Sequence, residues 1–393
     1  MFSSFSLAWC LVFVALISSW TLGLPPGFVT EGVGRYKRIT DISTIPLPPL
    51  VPPRTHHKSS SILLITLKEG PIHVIEDADN NPGRAILAAD FTNRICNNGE
   101  RGVQAAIAHP RFRNNRYVYV YYTYKGGTNC EESRSHGPVN RCSRFVMHAN
   151  NYTLDLASER VLFQTSRLEK RYHNGGDMEF GPDGNLYITV GDGGVGSGAV
   201  AQDKSDLLGS IVRITGNGNI PVDNPYNDGV RCNATGTAAN NRPCREIYAT
   251  GLRNPYKLAV DPNELSKTRI MVSEVGGQTW EEANLVGTDF PGANYGWPER
   301  EGPCSGRGNA GNNVEDCTPD PRFQEPEHFY MHRDKIDEGG GAIVGGVIIP
   351  NGHWPARYND GYFFADFVFG EIYRKYSLSQ PPFARSHLSS LLY

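Results

Sequence analysis

The sequence predicts an all-β fold organised as a β-propeller. Short β-rich runs recur along the chain, turn residues separate them, and no long amphipathic helix pattern intervenes. The 393 residues include 43 glycines, which suit tight turns. Such turn-punctuated short strands are typical of an all-β domain. The runs rich in β-branched and aromatic residues are 62–66, 117–124, 186–190, 211–214, 270–273, 347–349 and 362–364.

A weak internal repeat favours a propeller over a sandwich. A turn that ends in Asp or Pro, followed by two strands, begins at Ala108, Phe180 and Val260, at intervals of 72 and 80 residues. Irregular intervals of this kind fit blades that carry loop insertions. A chain of this length can bury the substantial core that one large all-β domain needs.

Two segments precede the predicted propeller domain, which takes residues 61–393. Residues 1–23 are typical of a signal peptide, because their uninterrupted apolar stretch, 7–17, is shorter than the about 20 residues of a membrane span. We therefore expect no membrane-spanning segment after cleavage. Residues 24–60 contain a proline-rich run and predict an extended lead-in without a core of its own.

Cysteine spacing predicts three short disulfide loops and a secreted protein. Cys96 is left over, either free or paired elsewhere. No close pair has the two-to-four-residue spacing of a zinc knuckle, so disulfides are the favoured interpretation. Asn151 and Asn233 stand in glycosylation motifs, which agree with the secretory pathway. The predicted pairs are Cys130 with Cys142, Cys232 with Cys244, and Cys304 with Cys317.

His173 and Asp192 are candidate catalytic residues. Two glycines follow His173 closely, and Asp192 stands in the next glycine-rich turn. Glycines let a ligand approach the backbone closely. An imidazole on one loop and a carboxylate on the next can form a general base with its orienting partner. The alternative is that both residues only stabilise tight turns.

Arg253 and Asn254 form a second candidate site. They precede a proline and therefore lie in an extended turn rather than a helix. A guanidinium there can bind a carboxylate or a developing oxyanion, or it can simply hydrogen-bond loop carbonyls.

The segment 273–285 offers oxygen ligands for calcium. Glycine carbonyls at Gly276 and Gly277 stand shortly before Glu281 and Glu282. Hard oxygen ligands of this kind suit Ca²⁺, whose coordination geometry is flexible. An exposed acidic turn without a metal is the alternative.

Five motifs, in order along the chain, resemble the glucose/sorbosone dehydrogenase family. They are His-x-Gly-Gly from His173, Phe-Gly-Pro-Asp-Gly-x-Leu-Tyr from Phe180, Gly-Asp-Gly-Gly from Gly191, Gly-Leu-Arg-Asn-Pro from Gly251 and Asn-Tyr-Gly-Trp-Pro from Asn294. The resemblance implies a six-bladed propeller. Members of the family include quinone-dependent aldose dehydrogenases and the propeller region of hedgehog-interacting-protein-like proteins.

The resemblance also implies roles for the candidate residues. His173 matches the base that takes the proton of the sugar's anomeric hydroxyl as hydride passes to pyrroloquinoline quinone. Asp192 matches the carboxylate that supports this histidine. Arg253 and Asn254 match residues that contact the quinone and the reacting centre, where an arginine stabilises negative charge.

A calcium site is implied in the same way. Gly276 and Gly277 match positions whose carbonyl oxygens hold the calcium ion that bridges to the quinone. Glu281 and Glu282 match acidic residues near the metal more loosely. The implied cofactors are therefore pyrroloquinoline quinone and calcium.

Departures from the family pattern support a second interpretation. Glu100-Arg-Gly102 replaces the glutamine of the sugar dehydrogenases and is more similar to the hedgehog-interacting-protein-like branch. The family position of the lysine that pairs with the quinone falls near Val368, within Ala365-Asp-Phe-Val-Phe-Gly370, which contains no lysine. The chain ends at Tyr393, where the family continues through about another blade, so either the first and last segments close the ring or the last blade is truncated.

Two function hypotheses follow. The first is a secreted quinone-dependent oxidoreductase that oxidises the anomeric carbon of an aldose sugar. The alternative is a non-catalytic secreted propeller that binds a carbohydrate or a secreted or cell-surface protein. The net charge of −3 and the absence of a basic block argue against a nucleic-acid partner.

Overall fold

Strands dominate the computed structural model, which describes residues 35–46, 62–76, 78, 85–305, 317–332 and 341–375. The all-β prediction is confirmed. The predicted signal peptide lies outside the described residues. In those residues every helix falls short of the length and apolar character needed to cross a bilayer. The helical segments are α1 (Phe112–Asn115) and short 3-10 turns at Ala199–Gln202, Ala239–Asn241 and Ala356–Tyr358.

The chain divides into two compact units, and the first contains two four-stranded antiparallel sheets. In each sheet the strands lie side by side in chain order, as in the blades of a propeller. The first blade comprises β1 (Ile39–Ile45), β2 (Ile62–Leu67), β3 (Pro71–Ile75) and β4 (Ala85–Asp90), and the second comprises β5 (Val103–Ala108), β6 (Tyr117–Tyr124), β7 (Val139–Met147) and β8 (Leu154–Arg167).

Strand β1 lies within the segment predicted to be a lead-in. It pairs antiparallel with β2 along its length, and the Thr40 hydroxyl donates a hydrogen bond to the carbonyl of Val103 on β5 at 2.7 Å. Its isoleucines pack on buried Leu63 and Ile65 of β2 or on the core between the two blades. Residues 39–45 therefore belong to the first blade.

The second unit contains three blades. The strands of each blade again follow chain order, with a small hairpin, β16–β17, inserted in the fourth blade. The third blade comprises β9 (Gly175–Phe180), β10 (Asn185–Val190), β11 (Ser210–Thr215) and β12 (Ile247–Thr250). The fourth comprises β13 (Pro255–Val260), β14 (Arg269–Glu274), β15 (Trp280–Gly287) and β18 (His328–Met331), with the hairpin β16 (Arg300–Glu301) and β17 (Cys304–Ser305), and the fifth comprises β19 (Ile343–Ile348), β20 (Tyr362–Asp366) and β21 (Ile372–Lys375).

Side-chain hydrogen bonds join the blades of the second unit. Asp177 of β9 accepts the backbone N–H of Leu258 on β13 at 2.8 Å. The Ser273 hydroxyl of β14 donates to the carbonyl of Gly345 on β19 at 2.7 Å. Burial of these groups makes each such bond costly to lose, because an unpaired polar group in the interior is strongly destabilising.

The prediction of six blades is wrong for the described residues, which form five. The last of these has three strands rather than four. Two long insertions, 216–246 between β11 and β12 and 288–327 between β15 and β18, lengthen the third and fourth blades. The resemblance alone could not predict how much of the chain these loops would occupy.

The prediction that Cys130 pairs with Cys142 is also wrong, because Cys130 forms a disulfide with Cys96. Cys142 lies outside the disulfides, at a fully buried, inward-facing position of β7. Cys142 is 0% exposed within the core, whereas Cys130 is half-buried in the loop that follows β6. The two other predicted pairs are present: Cys232 with Cys244 and Cys304 with Cys317.

Candidate functional site

His173 and Asp192 lie on neighbouring loops of the third blade. The backbone of His173 is left-handed, with φ at 57°, and a Cβ at position 191 would lie 2.2 Å from its carbonyl oxygen. Glycine at 191 therefore allows the two loops to approach. The approach places Nδ1 of His173 2.7 Å from Oδ1 of Asp192. The Asp192 side chain is buried, at 2% exposed, whereas that of His173 retains 13%.

Trp297 holds the other side of the Asp192 carboxylate. Its indole Nε1 donates to Oδ2 of Asp192 at 3.0 Å, while the N–H of Gly194 donates to Oδ1 at 2.8 Å. Asp192 is thus held in one orientation toward His173. The sequence could suggest Trp297 only as part of an aromatic, glycine-rich motif, and nothing in that motif indicated a contact with Asp192.

Arg253 and Asn254 are fixed by the buried Glu274. Oε1 of Glu274 accepts both of their backbone N–H groups, at 2.7 and 2.8 Å. Burial, and then the charge of Glu282 opposite it, raises the pKa of Glu274 well above its ordinary value. The Arg253 guanidinium donates to the carbonyl of Val275 at 3.0 Å.

These two residues also connect to the His173 region. The carbonyl of Arg253 accepts the N–H of Asp192 at 2.8 Å, and the Arg253 guanidinium carbon lies 5.5 Å from the Trp297 ring centroid. Asn254 Oδ1 accepts the N–H of Gly175, just after His173, at 3.1 Å. The turn at 253–254 therefore adjoins the histidine–aspartate pair.

Gly276 and Gly277 lie in a tight loop between β14 and β15. A Cβ at Gly276 would lie 1.6 Å from the carbonyl oxygen of Trp280, and a Cβ at Gly277 would lie 2.9 Å from the ring of Trp297. Larger residues are therefore excluded at both positions. Contact with Trp297 brings this loop next to Asp192 and Arg253.

Glu281 and Glu282 are buried structural residues rather than an exposed acidic turn. Glu281 contacts Nε2 of His332 at 2.6 Å and accepts the N–H of Ile343 at 2.9 Å. Burial raises the pKa of Glu282 to about 7, although hydrogen bonds from Asn284 and Gly302 counteract it. The pairing of Glu281 with His332 carries no sequence signal, since 51 residues separate the two.

The six candidate residues therefore form one connected region of the second unit. A base supported by a carboxylate, a guanidinium and a loop with glycine carbonyls lie around Trp297. Chemically, this arrangement can accept a proton from a hydroxyl, stabilise negative charge on an oxygen and hold a hard cation through oxygen ligands.

The sequence profile of the Glucose / Sorbosone dehydrogenase family matches residues 55–367, most of the 393-residue chain. The chain belongs to the glucose/sorbosone dehydrogenase family. This family assignment agrees with the ordered motifs from His173 to Trp297 and with the propeller blades.

The curated relatives that this chain matches include enzymes and interaction proteins. The HIPL2 protein of Arabidopsis thaliana is 28% identical over 331 residues, which is 70% of this chain and 44% of the relative. Quinoprotein glucose dehydrogenase B of Acinetobacter calcoaceticus is 28% identical over 52% of this chain and 41% of its own. Human Hedgehog-interacting protein is 32% identical over 48% of this chain and 27% of its own length. The chain therefore spans less than half the length of these relatives.

Solved structures of glucose/sorbosone dehydrogenase relatives share the fold. An oxidoreductase (glucose dehydrogenase) from Thermus thermophilus has a TM-score of 0.58 at 27% identity, covering 84% of this chain and 79% of its own. The pyrroloquinoline quinone-bound aldose sugar dehydrogenase from Streptomyces coelicolor has a TM-score of 0.58 at 23% identity, covering 89% and 85%. At that identity the second likeness shows the fold alone.

Proposed function

We propose that this protein is a secreted dehydrogenase that oxidises the anomeric carbon of an aldose sugar, with His173 as the general base. One observation carries the proposal: His173 faces a buried carboxylate at 2.7 Å, and Trp297 fixes that carboxylate from its other side. A base that only stabilised its own turn would need no such second support.

The residues of the chain have complementary roles in this reaction. His173 would accept the proton of the anomeric hydroxyl at Nε2 while Nδ1 stays hydrogen-bonded to Asp192, whose charge stabilises the resulting imidazolium. Arg253 would stabilise negative charge on the reacting oxygen. Asn254 would position the cofactor and the reacting centre. When bound, pyrroloquinoline quinone supplies the hydride acceptor and calcium polarises it.

The donor set of the 276–277 loop fits calcium. In the part of the chain that the structure describes, the carbonyl oxygens of Gly276 and Gly277 accept no hydrogen bond from a backbone N–H of a turn or loop. Nearby, the buried Oε2 atom of Glu274 has no hydrogen-bond partner among the described residues. Such carbonyls beside a buried carboxylate favour a hard cation such as Ca²⁺.

The charge balance for the quinone supports a second candidate function. Pyrroloquinoline quinone carries three carboxylates, whose burial requires cationic partners, and Arg253 supplies only one positive charge. The relatives named HIPL2 and Hedgehog-interacting protein agree with this candidate. It is a propeller that binds a carbohydrate or a secreted or cell-surface protein without redox chemistry.

Disulfide bonding supports secretion for either candidate. Three disulfides join Cys96 to Cys130, Cys232 to Cys244 and Cys304 to Cys317. Disulfides persist in oxidising compartments and are rare in the cytosol. The predicted signal peptide and the exposed asparagines of the two glycosylation motifs are consistent with the same route.

Reconstitution tests the dehydrogenase proposal. The secreted protein would be incubated with pyrroloquinoline quinone and calcium, and dye reduction followed across a panel of aldoses. We expect sugar-dependent reduction that is lost with a chelator and with His173→Ala. His148→Ala, at an exposed histidine in the turn between β7 and β8 of the second blade, is the matched control and should keep full activity. A folded protein that binds no quinone would instead favour the binding propeller.

A further inference from the structure

A single carboxylate oxygen of Glu301, on β16, binds the backbone of the loop between β14 and β15 that carries Gly276 and Gly277. Its Oε1 accepts hydrogen bonds from four consecutive N–H groups, those of Gly277, Gln278, Thr279 and Trp280, at 2.9, 2.8, 2.8 and 3.0 Å. Converging backbone N–H groups of this kind form an anion-binding nest. Here the anion is a side chain of the same protein.

The carboxylate charge suits this role. Four N–H dipoles point at one oxygen that is almost fully buried, since Glu301 is 3% exposed. Charge-assisted hydrogen bonds to a carboxylate are about twice as strong as neutral ones. A glutamine of the same shape would lose the charge and could place an NH₂ group against the four donors.

The nest fixes the direction of the loop carbonyls. In a planar trans peptide the C=O of one residue points opposite to the N–H of the next. Because the N–H groups of Gly277 and Gln278 point at Glu301, the carbonyls of Gly276 and Gly277 must point away from it. These are the two carbonyls to which the proposed function assigns calcium, and Glu301 therefore sets their orientation before any ion binds.

The same loop has little room to relax into another conformation. The N–H of Gly276 points to Glu281 Oε2 at 3.3 Å, and Cβ atoms at Gly276 or Gly277 would collide with Trp280 or Trp297. Loss of the nest would remove the four hydrogen bonds that hold the loop in this conformation, in which the two carbonyls point away from Glu301.

We propose that Glu301 is a positioning residue that preorganises the Gly276 and Gly277 carbonyls for calcium. The inference rests on the proposed function, because it assumes a calcium ion at these carbonyls. Groups that orient metal ligands without touching the metal typically change metal affinity by about 10- to 100-fold when they are altered.

Calcium titration of the full-length protein tests this inference. Isothermal titration calorimetry with Ca²⁺ alone, without quinone or sugar, would compare wild type with Glu301→Gln. We expect calcium affinity to fall by about 10- to 100-fold in Glu301→Gln. Glu299→Gln is the matched control: it removes the same charge two residues away, at a half-exposed side chain paired with Arg322, and should keep wild-type affinity.

Amide hydrogen exchange in the calcium-free protein gives a second measurement. The amides of 277–280 should exchange slowly in wild type, because the nest exists before the ion arrives. Fast exchange of these four amides would overturn the inference, even if Glu301→Gln failed to fold. Calcium binding by wild type and Glu301→Gln with equal affinity would also overturn it. Absence of calcium binding by the folded wild type would instead remove the calcium site from the proposed function, and this inference with it.

Discussion

Nε1 of Trp297 donates a hydrogen bond to Oδ2 of Asp192 at 3.0 Å, and 105 residues separate the two along the chain. The other oxygen of the same carboxylate faces Nδ1 of His173 at 2.7 Å. The Trp297 ring also lies 5.5 Å from the Arg253 guanidinium carbon. The Trp297 indole therefore contacts both Asp192, which supports the proposed base His173, and the Arg253 guanidinium.

We expect Trp297→Phe to slow the reconstituted enzyme while leaving it folded. Phenylalanine keeps an aromatic ring beside Arg253 but removes the N–H that holds Asp192. A hydrogen bond to a charged group contributes about 1.5–3 kcal/mol, so kcat/KM should fall by about 10- to 100-fold. Dye-coupled kinetics would measure it, with the loss mainly in kcat.

Trp354→Phe is the matched control for that experiment. Trp354 packs against Tyr358 and Phe363 in the fifth blade, so kcat/KM should stay at the wild-type value. Equal kinetics of Trp297→Phe and wild type would show that Asp192 needs no support from the indole.

We expect Glu282 to make the protein less stable as pH rises from about 4.5 to about 7. Burial raises the pKa of Glu282 from its ordinary value of 4.5 to about 7. The folded state then binds more protons than the unfolded state across this window, so the free energy of unfolding falls as pH rises. Glu282→Gln should remove this fall, on the order of 1–3 kcal/mol. Urea unfolding in EDTA at several pH values would measure it. An unchanged pH slope in Glu282→Gln would contradict the assignment.

The His332–Glu281 pair should stabilise the protein mainly at low pH. Burial lowers the pKa of His332, but the hydrogen bond and charge of Glu281 outweigh this effect and leave it raised above 6.5. The stabilisation is therefore complete below pH 6.5 and is lost as pH rises through the folded-state value. His332→Gln should lower the unfolding free energy more at pH 5.5 than at pH 8.5. Thermal unfolding at the two pH values would measure the difference, and an equal loss at both would refute it.

We expect the Cys96–Cys130 disulfide to be a major contributor to stability. It closes a 34-residue separation, and cross-links of this kind contribute about 2–4 kcal/mol by restricting the unfolded chain. Cys96→Ser should lower the free energy of unfolding by that amount, measured by urea denaturation. Cys142→Ala, which removes a buried thiol outside the disulfides, should cost only about 1 kcal/mol. Peptide mapping that linked Cys130 to Cys142 would reverse this expectation.

Much of the fold was predictable because each strand has a recognisable pattern in its own stretch of sequence. Runs such as 117–124 and 186–190 combine β-branched and aromatic residues between turns, and each corresponds to a strand. The blade count and the pairing of Cys130 were not predictable. Both depend on where loops and strand faces meet in space, as with Cys142, whose sequence neighbourhood resembles a loop edge although its side chain faces the core.

The candidate site was likewise predictable only in part. Glycine-rich turns around His173 and Asp192 indicated two loops that approach closely, and the structure joins them. Glu301 gave no signal, because its partners are backbone N–H groups more than twenty positions earlier, which any residue type can supply. Contacts to the main chain leave no pattern in a single sequence.

Strand β1 has a practical consequence for anyone who expresses this domain. The family profile begins at residue 55, downstream of β1 at Ile39–Ile45. A fragment cut at that boundary would leave β2, with its buried run from Ile62 to Ile65, as an uncovered apolar edge. Exposed edges of this type recruit strands from other molecules, so such a fragment should form inclusion bodies, whereas one that starts before Ile39 should remain dispersed.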